Sequence, residues 1–320
     1  MKILITGAAG FIGYHCSLKF LEKGYSVVGI DNLNSYYDVN LKKNRLSILK
    51  KKKNFKFFKL DITNNNKIKL NFNKYNYDVV FHLAAQAGVR FSITNPEEYI
   101  SSNLVGFFNI INSSTENNVK HFIFASSSSV YGNNTNFPLK EEDLTDSPLS
   151  LYAATKKSNE LVAHSYSNIH KLPCTGLRFF TVYGPFGRPD MALFKFTKKT
   201  IENKSIDLYN KGNHTRDFTY IDDVVTSLIK FIKKPSKKKI PYQVFNISNN
   251  NPVKLKKYLN LIFLFLNKKT KINNLSLQAG DIEKTWGSNK KLNKKVNFAP
   301  NTKINFGIKK FIKWYKNYYE

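Results

Sequence analysis

The sequence opens on a strand, a glycine turn, a helix, a second strand and an acid, and few folds accept that order. Lys2-Ile3-Leu4-Ile5-Thr6 is a short apolar run, as a strand buried in a parallel sheet should be. It leads into Gly7-Ala8-Ala9-Gly10-Phe11-Ile12-Gly13. Tyr14 to Lys23 then carries helical apolar spacing at Cys16, Leu18, Phe20 and Leu21, and Gly24 ends it. Val27 to Ile30 is the second strand, with Asp31 at its end, 18 residues past Gly13. Glycines make the turn tight and let backbone approach a pyrophosphate, and the helix N-terminus adds amide donors and positive dipole. An acid at that spacing binds the ribose hydroxyls of NAD and repels the 2′-phosphate of NADP. NAD is therefore the expected cofactor, held by Gly7, Gly10, Phe11, Ile12, Gly13, Asp31 and Asn32. The structural alternative is a glycine turn that only packs strand on helix.

The alternation continues. Phe55 to Leu60 reads as a third strand, followed by Asp61-Ile62, which in such a site reaches the adenine. Val79 to Leu83 is a fourth, and Ala84-Ala85-Gln86 behind it leaves room for the cofactor to lie against backbone. Residues 97–117 read as one long helix containing Asn103. His121 to Ala125 is the fifth strand, ending in Ser126 to Ser129, and Cys174 to Arg178 is the sixth. This order predicts an α/β chain built on a doubly wound parallel sheet, a Rossmann fold, with ligands at the carboxyl ends of the strands.

Composition excludes other classes. The 320 residues suffice for one large α/β unit and a smaller second region. Cys16 and Cys174 lie in apolar segments and read as buried small hydrophobes, not a disulfide framework. No signal peptide precedes the first strand, and the longest apolar run, Leu259 to Leu266, is too short to span a bilayer, so a cytoplasmic protein without a membrane partner is expected. The net charge of +29 invites a nucleic-acid reading. The excess, however, lies in Lys clusters beside Asn, at 50–53, 233–239, 268–271 and 290–295, where helix ends and loops are expected. A nucleic-acid partner is not expected, though the charge raises the local concentration of an anionic substrate. His15, His121 and His170 read as surface residues, and no His, Cys and carboxylate spacing suggests a metal.

Tyr152 and Lys156 stand four apart in a predicted helix start and so share one face. A neighbouring ammonium favours phenolate, which makes a base for an alcohol proton near neutral pH. The alternative is an amphipathic helix with a half-buried Tyr and a solvated Lys.

The glycine turn, the serine run 25 residues before Tyr152 and the Tyr-x-x-x-Lys pair resemble the extended short-chain dehydrogenase/reductase family, NAD-dependent epimerase/dehydratase branch. Asp31 to Asp38, His82 to Arg90, Ser147 to Glu160, Leu177 to Ala192, Arg216 to Asp223 and Gln278 to Asp281 are similar, more narrowly, to UDP-glucuronate 4-epimerases. The stretch Thr285-Trp286-Gly287-Ser288 departs from the pattern, since relatives tend to carry Ala-Asp there.

The resemblance implies an isomerase in which Tyr152 takes the sugar 4-hydroxyl proton while tightly bound NAD accepts the C4 hydride. Lys156 holds Tyr152 and the nicotinamide ribose, and Ser127 bonds the reacting oxygen. Asp61, Ile62, Leu83, Ala84, Ala85, Asn103 and Phe179 complete the cofactor site. Sugar-nucleotide 4,6-dehydratases place an acidic pair where this chain has Ser128 and Ser129, so elimination of water is not expected. Ser128, Ser129 and Thr181 are candidates to hold the sugar carboxylate out of alignment for loss of CO2. The competing reading is a serine-rich strand end that only satisfies backbone groups. Arg188 and Arg216 are diphosphate candidates, Arg90 a further one, and each is alternatively a structural ion pair, Arg216 with Asp217 above all. Gln278 and Asp281 are expected near the uridine ribose, and Met191 and Ala192 in the uracil slot. Residues 1–180 with 220–248 are expected to form the NAD-binding domain, and 181–219 with 249–320 the nucleotide-sugar domain. The resemblance also implies a homodimer. The alternatives are a 4-epimerase of UDP-glucose or UDP-N-acetylglucosamine, and a non-catalytic NAD-binding scaffold.

Overall fold

The computed structural model describes residues 1–277 and 281–320. Its first half is strand and helix in alternation: β1 (Lys2–Thr6), α1 (Phe11–Glu22), β2 (Ser26–Asp31), α2 (Val39–Lys50), β3 (Phe55–Lys59), α3 (Asn65–Tyr75) and β4 (Val79–His82). Two short helices, α4 (Phe91–Thr94) and α5 (Pro96–Tyr99), lead through a π-helical stretch (Ile100–Val105) into α6 (Gly106–Glu116). Next come β5 (His121–Ser127), α7 (Leu151–His170), β6 (Cys174–Phe179), β7 (Thr181–Tyr183), α8 (Ala192–Ile201), β8 (Ile206–Tyr209), β9 (Thr215–Tyr220) and α9 (Ile221–Phe231). The chain closes with β10 (Tyr242–Ile247), β11 (Pro252–Lys254), α10 (Leu255–Leu266), β12 (Ile272–Leu275), α11 (Lys290–Val296) and α12 (Ile304–Tyr319).

Seven strands form one sheet in the order β10-β6-β5-β4-β1-β2-β3, and every pairing in it is parallel. The predicted doubly wound sheet is therefore present. Strand order reverses between β1 and β4, which opens a crevice at their carboxyl ends. The centre of β1 is apolar because both faces are covered, and Ile3, Leu4 and Ile5 are buried. A three-stranded sheet, β11-β9-β7, and a two-stranded one, β12-β8, carry the later segments. A second apolar cluster, including Phe194, Phe218, Tyr258 and Phe311, packs them against α8, α10 and α12.

Side-chain caps start the helices that matter for the site. Ser150 accepts from the Ala153 amide at the head of α7, and Asp38 from the Asn40 amide at the head of α2. Cys16 and Cys174 are buried and free. Three expectations are corrected. The long helix at 97–117 is broken by the π-helical stretch, in which Asn103 turns to the loop after β4. His121 is not a surface residue: it is 1% exposed, and its Nε2 lies 2.7 Å from Thr175 Oγ1. The lysines at 290–295 fall within α11, not in a loop.

Candidate active site

A cavity of about 560 Å³ runs along the carboxyl edge of the large sheet. At one end its wall is the glycine turn. Gly7 has φ +71°, and a Cβ there would meet the Ala84 amide nitrogen at 2.8 Å. A Cβ on Gly13 would stand 2.1 Å from the Gly7 carbonyl oxygen. Only glycine permits this turn, and the groove it leaves bare suits a pyrophosphate lying on backbone. Gly10, Phe11, Ile12, Asp31, Asn32, Ile62, Leu83, Ala84, Ala85 and Phe179 line the same cavity.

The Asp31 carboxylate is fixed before any ligand arrives. Its Oδ2 accepts from the Ala9 amide at 3.1 Å and its Oδ1 from the Leu33 amide at 2.8 Å. Burial raises its pKa, against the pull of the Leu33 amide and Lys42. Each oxygen keeps an acceptor site for a ribose hydroxyl. Asp61 does not line the cavity. Burial raises its carboxyl, but bonds from Asn32 Nδ2 and Thr63 outweigh that and lower it, so Asp61 fixes Asn32. Asn103 is likewise set back. It donates to the Gln86 carbonyl and to Thr155 Oγ1, and accepts from the Gln86 amide, tying the loop after β4 to α7.

At the other end stand Tyr152 and Lys156, on one face of α7, with Ser127, Ser128, Ser129 and Thr181 around them. The Tyr152 ring packs edge-on against Tyr99 at 6.2 Å. Lys156 Nζ donates to the Ala125 carbonyl at 3.0 Å, and burial pushes its pKa down to about 8. The expectation of a lowered Tyr152 phenol is corrected. The phenol lies above its usual value because burial outweighs Ser127 and Arg188, the two groups that pull it down. Ser127 Oγ also holds the strand end together, donating to Ser129 Oγ and accepting from the Ser129 amide at 3.2 Å each.

Arg188 Nε donates to Asp190 Oδ1 at 3.0 Å, and its Nη2 to Asp190 Oδ2, which also accepts from Tyr36 Oη at 3.1 Å. Arg90 lines the cavity and pairs with Asp281 at 2.9 Å. Met191 lines it too, whereas Ala192 lies behind it at the start of α8. Arg216 does not reach the cavity wall. Its Nη1 donates to the Thr215 and Glu283 carbonyls, and burial lowers its pKa to about 10. It is not paired with Asp217, whose carboxylate accepts from the amides of Asn249, Asn250 and Gly287. Gln278 lies outside the described residues.

Cavity residues with polar side chains that the sequence reading missed include Tyr36, Lys42, Asp190 and Lys195. Lys42 Nζ donates to the Asn34 carbonyl at 2.7 Å and sits 4.5 Å from the Tyr37 ring centre. Tyr36 and Asp190 stood in stretches already noted for resemblance, but no spacing links residues 154 apart. Among the described residues no group of His, Cys, Asp and Glu could hold a metal ion.

The family model described as "NAD dependent epimerase/dehydratase family" matches residues 3–248. Protein CapI of Staphylococcus aureus is 49% identical, with both chains covered in full. A probable UDP-glucuronate 4-epimerase of Rhizobium meliloti is 39% identical over 100% of this chain and 98% of its own. The crystal structure of UDP-glucuronic acid 4-epimerase from Bacillus cereus, in complex with UDP-glucuronic acid and NAD, superposes with a TM-score of 0.93. It is 33% identical, with both chains covered in full.

Proposed function

The chain belongs to the NAD dependent epimerase/dehydratase family, and from that premise we propose that it interconverts UDP-glucuronate and UDP-galacturonate by inversion at C4. It is an NAD-dependent 4-epimerase of UDP-sugars, an isomerase, and the glycine groove with Asp31 fits NAD. The observation that carries the choice of sugar is Arg188. It lines the same cavity as Tyr152, Ser127 and Thr181, where the reacting sugar is proposed to sit, and a uronate carries its carboxyl on C5, next to C4. Its fork to Asp190 uses Nε and Nη2, and Nη1 has no hydrogen-bond partner among the described residues. A guanidinium nitrogen so placed suits a carboxylate.

When bound, NAD accepts the C4 hydrogen with its electron pair and returns it to the opposite face. Tyr152 Oη takes the proton of the 4-hydroxyl on oxidation and gives it back to the 4-oxygen on reduction. Ser127 and Arg188 bring the buried phenol toward the range where it can act as a base. Lys156, whose Nζ donates to the Ala125 carbonyl, is proposed to bind the nicotinamide ribose. Ser128, Ser129 and Thr181 present hydroxyls to the same end of the cavity. We assign them to holding the carboxylate in the plane of the 4-ketone, where the bond to CO2 is stable.

The nucleotide half is proposed to rest on residues 181–219 and 249–320, supported by the two small sheets those segments form. Ile100, Val105 and Phe108 beside α6, with Leu161 and Ile169 on α7, are large exposed apolar side chains and support a homodimer through these helices. Among the described residues no helix is long and apolar enough to cross a membrane.

The test is incubation of the NAD-loaded protein with UDP-glucuronate, UDP-glucose and UDP-N-acetylglucosamine, without added reductant, scored by NMR for the axial 4-hydroxyl. Turnover of UDP-glucuronate is expected; turnover of only the neutral sugars would refute the choice of sugar.

A further inference from the structure

A UDP-sugar brings two phosphates into the cavity, and they need cations. The cations lining the cavity are Lys42, Arg90, Lys156, Arg188 and Lys195. Four of them already have partners. Arg188 is forked on Asp190 and Arg90 is paired with Asp281. Lys156 donates to the Ala125 carbonyl, beside the reacting phenol. Lys42 donates to Asn34 and interacts with Asp31, at the glycine-turn end. Lys195 alone among these has no hydrogen bond or ion pair from its side chain to any described residue. It stands on the first turn of α8, one helical turn past Met191, and its side chain is exposed to the cavity mouth. Arg216, the other cation the sequence suggested for this task, turns its Nη1 to two backbone carbonyls instead.

We propose that Lys195 binds the diphosphate of the nucleotide-sugar and so determines affinity for the charged linker common to every UDP-sugar. The position fits the chemistry. An ammonium on a flexible stem is a point charge able to follow a phosphate whose geometry shifts as the sugar turns. Its neighbours in the cavity wall divide the labour. Met191, one helical turn earlier, adds an apolar surface to the same cavity, which Arg188 and Tyr152 also line. With the sugar at Tyr152, a substrate in this cavity would have its phosphates at Lys195 and its nucleoside beyond them.

The inference rests on the UDP-sugar reading but not on which sugar is turned over. Its test uses the NAD-loaded enzyme and three ligands that share the nucleoside: the best UDP-sugar substrate, UDP and uridine. Lys195→Met is expected to raise KM for the UDP-sugar and the inhibition constant of UDP about tenfold each, the size of one hydrogen bond to a charged group. Inhibition by uridine should be unchanged and kcat should stay within about twofold, because Lys195 touches no reacting atom. Lys195→Arg should restore most of the affinity, and the salt dependence of KM should be shallower in the Met variant. Equal weakening of UDP and uridine, or no weakening of UDP, would overturn the proposal. A loss confined to kcat would overturn it as well. If the wild-type enzyme turns over only neutral UDP-sugars, the glucuronate reading fails while the effect on UDP still decides the role of Lys195.

Discussion

The site stands on a buried ion pair that binds nothing, and breaking that pair is the most informative perturbation available. Glu160 lies one turn past Lys156 on α7, and Arg178 lies on β6; both side chains are 5% exposed. Arg178 Nε donates to Glu160 Oε1 at 2.9 Å and its Nη2 to Oε2 at 2.8 Å, while Ser126 Oγ donates to Oε1 at 2.5 Å. Ser126 adjoins Ser127, so this carboxylate pins the catalytic helix to the strand end that carries the serine. Glu160→Gln keeps the shape but turns an amide NH2 toward a guanidinium that can only donate. Removing one charge from such a buried pair costs about 3–5 kcal/mol, because the other is left uncompensated. The exposed pair Lys19–Glu22, with side chains 50% and 44% exposed, is the internal control: Glu22→Gln should cost less than about 1 kcal/mol. The assay is urea unfolding at pH 7, followed by far-ultraviolet circular dichroism and by the fluorescence of Trp286 and Trp314. Adding Arg178→Met to Glu160→Gln should recover part of the loss, since it removes the stranded cation. If Glu160→Gln costs no more than Glu22→Gln, the view that this pair anchors α7 is wrong.

Three further outcomes are expected. Gly13→Ala should abolish retention of NAD, measured as cofactor released on denaturing the purified protein, because its Cβ would lie 2.1 Å from the Gly7 carbonyl oxygen. Ser128→Ala with Ser129→Ala should release UDP-pentose from UDP-glucuronate, detected by NMR; no more than wild type would remove the carboxylate-holding role. Lys156→Met should be inactive yet more stable than wild type at pH 7 in NAD-free urea titrations. The folded pKa is about 8 against about 10.4 unfolded, so charged Lys156 costs up to about 3 kcal/mol below pH 8, and the lost bond to the Ala125 carbonyl returns about 1. Between pH 8 and 10.4 the unfolded chain binds the extra proton, wild-type stability rises with pH, and the advantage of the variant should fade.

What was legible in the sequence follows the physics of each element. The strands of the large sheet could be read because burial on both faces makes them continuous apolar runs, as in Lys2–Thr6 and Val79–His82. Helices α2 and α3 could not, since Lys and Asn crowd their outer faces and blur the apolar stripe. Strands β7, β8, β11 and β12 are three or four residues long and exist only through partners distant in sequence. The same division holds in the site. Spacing told which residues share a surface, and Tyr152 and Lys156 do line one cavity. Spacing did not tell where each charge is answered. Arg216 and Asp217 are neighbours in sequence and looked like a pair, but on β9 successive side chains point to opposite faces. Asp217 is thereby turned inward to three loop amides and Arg216 outward to the Glu283 carbonyl. Arg188 and Asp190, two apart, do meet, because the chain between β7 and α8 is irregular and bends them together. The Tyr152 phenol was expected to be lowered, yet burial raises it, and the Ala125 carbonyl holds the Lys156 ammonium. A cation's function in this cavity is therefore set by which partner already holds it, and that is decided by tertiary contacts. It follows that lysines of one sequence cluster can differ wholly in function: of Lys195, Lys198 and Lys199 on α8, two reach Glu202 and Asp207 on the outside, and only Lys195 faces the cavity.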